Sequence, residues 1–317
     1  MKDSKILVLG YGAVGQATAT LLKEKGHIVT VAQRHKPHNL SAGINFNHCD
    51  ILDLESTRAC LQGFDQVVIA IGFEYNINVW QQQWPIAMHN IVNASSQLGI
   101  RVIFVDNLYM VGPQREALRE EMPLTNHPGK PAVRANITRI WQDAVKQKNL
   151  RFTALRAPDF FGPSVLLSHL GEVVFGALAK GKTAQFFVPG HQAHDFAYVP
   201  DMARAVCHLL DASDEVFGQV WHMPCAPTTT TAELVKLGAQ SLGVTPKMFN
   251  MPLWLLRIVG YFMPLAKEIW DMRFQWDRPY HVNADKFRQK FSFEATPFTQ
   301  SIPATALSFK NTTSTVV

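Results

Sequence analysis

The chain has little from which to build a metal site or a disulfide framework. Its 317 residues include only four cysteines, Cys49, Cys60, Cys207 and Cys225, with no C-x-x-C pair and no metal-ligand spacing. They read as free, mostly buried thiols in a reducing compartment, and no metal is expected. Long apolar runs are missing too. No stretch reaches the ~18 uninterrupted apolar residues of a membrane span. Met251 to Ala266 comes closest, but it is short and carries Arg257. It reads as an amphipathic helix packed on its own protein, with a membrane-surface element as the second reading. Runs of Lys or Arg are also absent. The net charge is +5 and the pI about 9.0, yet the basic residues are scattered. A nucleic-acid partner is therefore not expected, and the positive field suits an anionic cofactor or substrate. The first strand starts within a few residues of Met1, which leaves no room for a leader, so a cytoplasmic protein is expected. There is no internal repeat and no low-complexity segment, and Asn311 to Val317 reads as a frayed tail.

What the chain does have is a glycine turn. Lys5-Ile-Leu-Val-Leu runs into Gly10-Tyr-Gly12-Ala-Val-Gly15, a G-x-G-x-x-G between a predicted buried strand, Lys5 to Leu9, and a predicted helix, Gln16 to Gly26. A second strand, His27 to Ala32, follows at the βαβ distance. Glycines at such a turn let a dinucleotide pyrophosphate approach the backbone, where the helix N-terminus offers free N–H groups and a positive dipole end.

The alternation continues. Strands are predicted at Ile44 to His48, Gln66 to Ile71, Arg101 to Val105 and Arg151 to Leu155. Helices are predicted at Leu54 to Gln62, Val79 to Leu98 and Ala132 to Gln147, with Gly112 to Pro131 a loop rich in Pro, Gly and charge. Apolar residues make up 47% and charged residues 17%, an ordinary core composition that admits one large domain, or a nucleotide domain and a smaller one. The order calls for an α/β, Rossmann-type doubly wound parallel sheet with a smaller, mostly helical C-terminal substrate lobe. The boundaries expected are 1–163 for the nucleotide domain, rejoined by 196–223, with 164–195 and 224–317 forming the lobe. Beyond Pro163, Ser164 to Ala179 reads as helical, Ala184 to Val188 as a strand and Pro200 to Ala212 as a helix. Gln219 to Met223 reads as a strand and Thr231 to Leu242 as a helix capped by threonines. The aromatic-rich remainder is either a small core of its own or a wall facing substrate.

Ligands of such sheets bind at the carboxyl ends of the strands, near the switch in strand order. That rule directs attention to Gly10, Gln33, Asp50, Gly72, Asp106 and Ala157 with their neighbours. The second strand ends Val31-Ala32-Gln33-Arg34-His35-Lys36, with no acid to hold the ribose hydroxyls of NAD. Arg34 can fork onto the 2′-phosphate of NADP and stack on adenine, so NADP is preferred, with NAD as the second candidate. Asp50-Ile51 suits adenine, the carboxylate accepting from the exocyclic amine; the alternative is an Asp that caps the next helix. The expected cofactor site comprises Gly10, Gly12, Val14, Gly15, Arg34, Asp50, Ile51, Gly72, Arg134 and Pro158.

Three further blocks carry a family resemblance. They are Val105-Asp106-Asn107-Leu108-Tyr109-Met110-Val111-Gly112, then Leu155-Arg156-Ala157-Pro158-Asp159-Phe160-Phe161-Gly162-Pro163, then His194-Asp195-Phe196-Ala197-Tyr198-Val199-Pro200-Asp201-Met202-Ala203. With the glycine turn, they make the chain resemble the extended and atypical short-chain dehydrogenases, the NAD(P)-dependent epimerase/dehydratase-like group, over nearly its whole length. The resemblance implies a Ser or Thr at the end of strand five and a Tyr-x-x-x-Lys on the next helix. Asn107 stands at the Ser/Thr position, Lys130 at the tyrosine and Arg134 at the lysine. A K-x-x-x-R here also resembles the isoflavone-reductase-like members, whose lysine is the acid/base. A lysine can play that part where burial and a neighbouring cation lower its pKa. The bland alternative is a solvated lysine in a Pro/Gly loop. Tyr109 is a competing proton donor, and Asp159 and His194 are read as fold-stabilising.

The expected function is an NADP-dependent oxidoreductase acting on a small organic carbonyl, alcohol or enone. Asn107 would hydrogen-bond the substrate oxygen, Lys130 or Tyr109 would handle the proton, and Arg134 would hold a ribose. The alternatives are a nucleotide-sugar epimerase or dehydratase, against which the missing Tyr-x-x-x-Lys counts, and a non-catalytic dinucleotide-binding redox sensor. The partner is a small molecule, and an oligomer is left open.

Overall fold

The computed structural model describes residues 4–163, 165–186 and 189–312. The chain divides into two compact units. The first holds Met1–Gly112, Pro123–Arg156 and Met202–Trp221; the second holds Pro113–Met122, Ala157–Asp201 and His222–Val317.

The first unit is built on strands β1 (Lys5–Leu9), β2 (Ile28–Gln33), β3 (Asn45–His48), β4 (Gln66–Ile69), β5 (Arg101–Asp106) and β6 (Phe152–Arg156). The order across the sheet is β3-β2-β1-β4-β5-β6, and Val220–His222 completes seven strands beside β6. All pairings among β1–β6 are parallel, as in Leu7↔Thr30 and Leu7↔Val67. Ile6 to Leu9, Val67 to Ile69 and Val102 to Phe104 are wholly buried, which is why these strands read as unbroken apolar runs. The connecting helices are α1 (Ala13–Glu24), α2 (Leu54–Leu61), α3 (Ile77–Leu98) and α4 (Lys130–Lys148). The strand order reverses between β1 and β4, and that switch point lies beside the glycine turn.

Several helices start earlier than expected, among them α3, at Ile77 rather than Val79. α1 begins at Ala13 rather than Gln16, because the last glycine of the turn sits inside the first helical turn. α4 begins at Lys130 rather than Ala132. Gly129, at φ +80°, makes the bend into the helix, and Pro131 fits the first turn, where its fixed φ is favourable and its missing N–H costs nothing. Lys130 and Pro131 therefore belong to the helix and not to the preceding loop.

The second unit has its own core, with Phe161, Phe175, Phe186, Phe196, Leu234 and Trp276 among its buried members. Its helix Thr231–Leu242 carries the expected threonine cap, a reciprocal box in which Thr230 and Glu233 satisfy each other's backbone N–H. The single helix expected from Ser164 is not formed. The described part shows turns followed by a short wide helical segment, Gly171–Gly176. Gly171 packs so tightly on the preceding turn that a Cβ would meet Leu166 O at 2.3 Å. Ser164, Phe187, Val188 and residues 313–317 lie outside the described residues. All four cysteines are free and buried.

Candidate functional site

The three glycines of the turn do different work. Gly10 has φ +95°, and a Cβ there would stand 2.7 Å from the Ala70 carbonyl oxygen, so β1 and β4 can approach at the switch point only without one. A Cβ on Gly15 would stand 2.1 Å from the Gly10 oxygen. Gly12 is unlike both. It is the N-cap of α1, and a Cβ there would meet nothing within 4 Å. The fold needs the first and third glycines, and the second leaves open space in front of the helix N-terminus. The first-turn N–H groups of a helix have no intrahelical partner. Open space before unpaired donors and a positive dipole end fits a pyrophosphate. Val14 is buried in the same turn, and Gly72, after β4, likewise faces open space.

At the end of β2, Gln33 ties the turn together. Its Oε1 accepts the Tyr11 N–H at 3.0 Å, and its Nε2 donates to the His35 carbonyl at 2.7 Å. Arg34, His35 and Lys36 are exposed. The Asp50 carboxylate accepts the Leu52 N–H at 3.0 Å, while the cap of α2 is Asp53, which accepts from Ser56 N. The helix-capping alternative for Asp50 therefore belongs to Asp53. Ile51 is half-buried against the core of the first unit. Pro158 belongs to the second unit.

Lys130, Arg134 and Tyr109 gather around one side chain that the sequence reading had not singled out, Trp80 of α3. Lys130 is only 2% exposed, with Nζ 3.9 Å from the centroid of the Tyr75 ring and 5.8 Å from that of Trp80. The solvated-loop alternative for Lys130 is thereby excluded. Tyr109 stacks on Trp80, with centroids 6.1 Å apart and planes at 16°. The Arg134 guanidinium lies 4.7 Å from the Trp80 ring and 4.0 Å from Trp84. The sequence signal was the pair Trp80 and Trp84, four apart on one helix face, opposite a second helix carrying Lys130 and Arg134 four apart.

Arg134 is committed inward. Its Nη1 donates to Asp106 Oδ1 at 2.8 Å, and that oxygen also accepts the Asn107 N–H at 2.8 Å. Burial pushes the Asp106 carboxyl up from its ordinary value, against the pull of Arg134 and Arg156, and burial pushes the Arg134 guanidinium down. Asn107 Oδ1 accepts the Tyr109 N–H at 3.0 Å, which fixes the turn after β5. Arg134→Met should destabilise the protein by about 3–5 kcal/mol, because it strands a buried carboxylate. Asp106→Leu added to it should restore most of the loss, as read by urea unfolding.

The second unit holds a packed cluster around His194. Its Nε2 lies 3.0 Å from Asp159 Oδ2, and its ring stacks 4.0 Å from Trp276 at 2° and 4.9 Å from Tyr280 at 14°. Burial works to raise the Asp159 carboxyl, but the His194 hydrogen bond and the His169 and His194 imidazoles together hold it below its ordinary value. Burial lowers His169. Next along the chain, Asp195 Oδ2 accepts the Val282 N–H at 2.7 Å, and Asp201 accepts from Thr296 N and Oγ1.

A sequence profile of the NAD dependent epimerase/dehydratase family matches residues 6–222. The chain belongs to that family. Solved structures similar to this family member include the Bordetella bronchiseptica enzyme WbmH in complex with NAD+, at 17% identity and TM-score 0.74, covering 97% of this chain and 99% of that one. The Thermus thermophilus UDP-glucose 4-epimerase with NAD is 18% identical at TM-score 0.76, covering 96% and 99%. The Thermotoga maritima UDP-glucose 4-epimerase with UDP-glucose is 18% identical at TM-score 0.78, covering 98% and 99%. At such identity these likenesses show the fold alone. No curated protein matches the sequence. The glycine cradle of this family member accords with a nicotinamide dinucleotide, and its sequence contains no Tyr-x-x-x-Lys, the pair that the family resemblance implies.

Proposed function

We propose that the protein is an NADP-dependent oxidoreductase that reduces, or reversibly oxidises, a small organic substrate at a carbonyl, alcohol or conjugated double bond. The observation that carries this reading is Lys130, placed at the start of α4 and held against Tyr75 and Trp80. A bound nicotinamide supplies or takes up hydride. Lys130 delivers or accepts the proton at the substrate oxygen or the adjacent carbon. Asn107 keeps its side-chain NH2 for that oxygen, since its Oδ1 is occupied by Tyr109 N–H. Tyr109 and Tyr75 provide flat apolar faces on which an unsaturated substrate can lie. Arg134, committed to Asp106, acts by fixing α4 to β5 and so positioning Lys130. The test is NADPH oxidation over a panel of carbonyl and enone compounds; consumption with none of them would sink the enzyme reading.

A nucleotide sugar, the substrate class of the similar epimerases, is less favoured because no Tyr-x-x-x-Lys is present to remove a sugar hydroxyl proton. One observation favours a non-catalytic sensor. The cation at the family's lysine position is spent on Asp106 rather than left for a ribose. Tight dinucleotide binding without turnover, together with a protein partner retained in pull-down, would replace the enzyme by that reading.

The choice of NADP rests on Arg34, exposed at the end of β2 with no acid beside it. A charge-assisted contact to the 2′-phosphate is worth about 1–3 kcal/mol. Calorimetry should show NADPH bound more tightly than NADH, and Arg34→Ala should remove the difference. Equal affinities in the parent protein would exclude the assignment.

A further inference from the structure

Between Glu233 and Glu268 the chain has no acidic residue and four basic ones, Lys236, Lys247, Arg257 and Lys267. The short helix Leu253–Val259 lies in this stretch; a second, Pro264–Asp271, starts in it and adds the buried Glu268 and the exposed Asp271. They form a closed hairpin at Gly260, where a Cβ would stand 3.2 Å from the Lys267 Cα and backbone nitrogen. The spacing of Met251 to Ala266 predicts an amphipathic segment whose apolar face packs on its own protein. Only Leu256 and Ala266 among its apolar side chains are buried. Trp254 and Ile258, four apart on the first helix, are 64% and 49% exposed, and Tyr261 in the turn after it is 78% exposed. At the tip Phe262 is 84% exposed, and Met263 and Leu265 are more than half exposed.

We propose that this hairpin docks on an anionic phospholipid bilayer, with Trp254, Tyr261, Phe262 and Leu265 entering the headgroup layer and Arg257 and Lys267 meeting the lipid phosphates. Aromatic residues with one apolar body and one polar edge settle at that layer, and basic residues beside them add attraction to anionic lipid. Lys267 is paired with Asp271 at 2.7 Å, but exposed pairs of this kind hold little energy and give way to a phosphate. Consecutive side chains as exposed as Tyr261 and Phe262 make a protruding point, not the broad flat patch that a two-fold interface between copies requires. Two copies would also bring the basic residues of the hairpins together, with Asp271, the one exposed acid of each, already held by Lys267. No helix among the described residues is long and apolar enough to cross a membrane, so the contact is with the surface.

The test uses the full chain and two vesicle preparations, one of phosphatidylcholine and one of equimolar phosphatidylcholine and phosphatidylglycerol, with binding read by co-sedimentation. Binding to the anionic vesicles should exceed that to the neutral ones by about tenfold or more and should fall with added salt. Trp254→Ser combined with Phe262→Ser should lower it by about tenfold or more without changing thermal unfolding, since neither side chain supports the core. Arg257→Glu should weaken only the anionic binding. Parent protein that stays in the supernatant with both preparations overturns the proposal. So does a Trp254→Ser/Phe262→Ser protein that pellets like the parent. A parent dimer by sedimentation equilibrium that this variant dissolves, with no vesicle binding, assigns the hairpin to a second copy instead.

Discussion

Gly12→Val should abolish dinucleotide binding and leave the fold intact. The two halves of that result come from different observations. The fold half rests on the empty space around the Gly12 Cβ position and on a backbone conformation, φ −72° and ψ −172°, open to any residue. The binding half rests on the same space, which is where a pyrophosphate must come close to the helix N-terminus. Affinity by calorimetry should fall below detection, while the unfolding midpoint in urea stays within error of the parent. Gly15→Ala serves as the contrast. There a Cβ would press on the Gly10 oxygen at 2.1 Å, so stability and binding should fall together. A Gly12→Val protein that still binds NADPH normally would mean that the turn is only structural.

Lys130→Met should lower turnover by roughly 10²–10⁴, the range of general acid–base catalysis, with NADPH affinity kept. Methionine preserves the length and apolar stem of the side chain, so it removes charge and proton without emptying the space against Tyr75. Tyr109→Phe should be mild by comparison, because the ring can still stack on Trp80. Single-turnover NADPH oxidation with the best compound from the carbonyl and enone panel separates the two. If Tyr109→Phe is the crippled variant and Lys130→Met reacts normally, the proton belongs to the tyrosine. If both react normally, neither side chain carries it, and the aromatic cage serves binding alone.

The sheet was legible because its strands are buried on both faces. Ile6–Leu9 or Val67–Ile69 can then be read as apolar runs without knowing what covers them. The glycine turn was legible for the opposite reason, a local pattern whose geometry is fixed within a few residues. Helix starts were less so. Pro131 reads in the sequence as loop chemistry, although a proline in the first turn is as compatible with a helix as with a bend. The cage around Lys130 left almost no local trace. Tyr75 and Trp80 lie some fifty residues upstream, and only the crossing of α3 and α4 brings them to the lysine. The hairpin after Met251 shows the limit from the other side. Amphipathic spacing reveals that a helix has an apolar face, but not which way the face points.

Gln33 carries a consequence for how cofactor choice can change. One amide ties two segments of the site, accepting the Tyr11 N–H of the glycine turn and donating to the His35 carbonyl, next to Arg34. An acidic residue at this position, the usual route to NAD, would keep the acceptor but lose the donor and set a negative charge against the His35 carbonyl. Such a change would keep the Tyr11 contact of the phosphate turn but release the segment at His35. Selection between the two dinucleotides would therefore act on Arg34 and its neighbours, whose side chains are exposed.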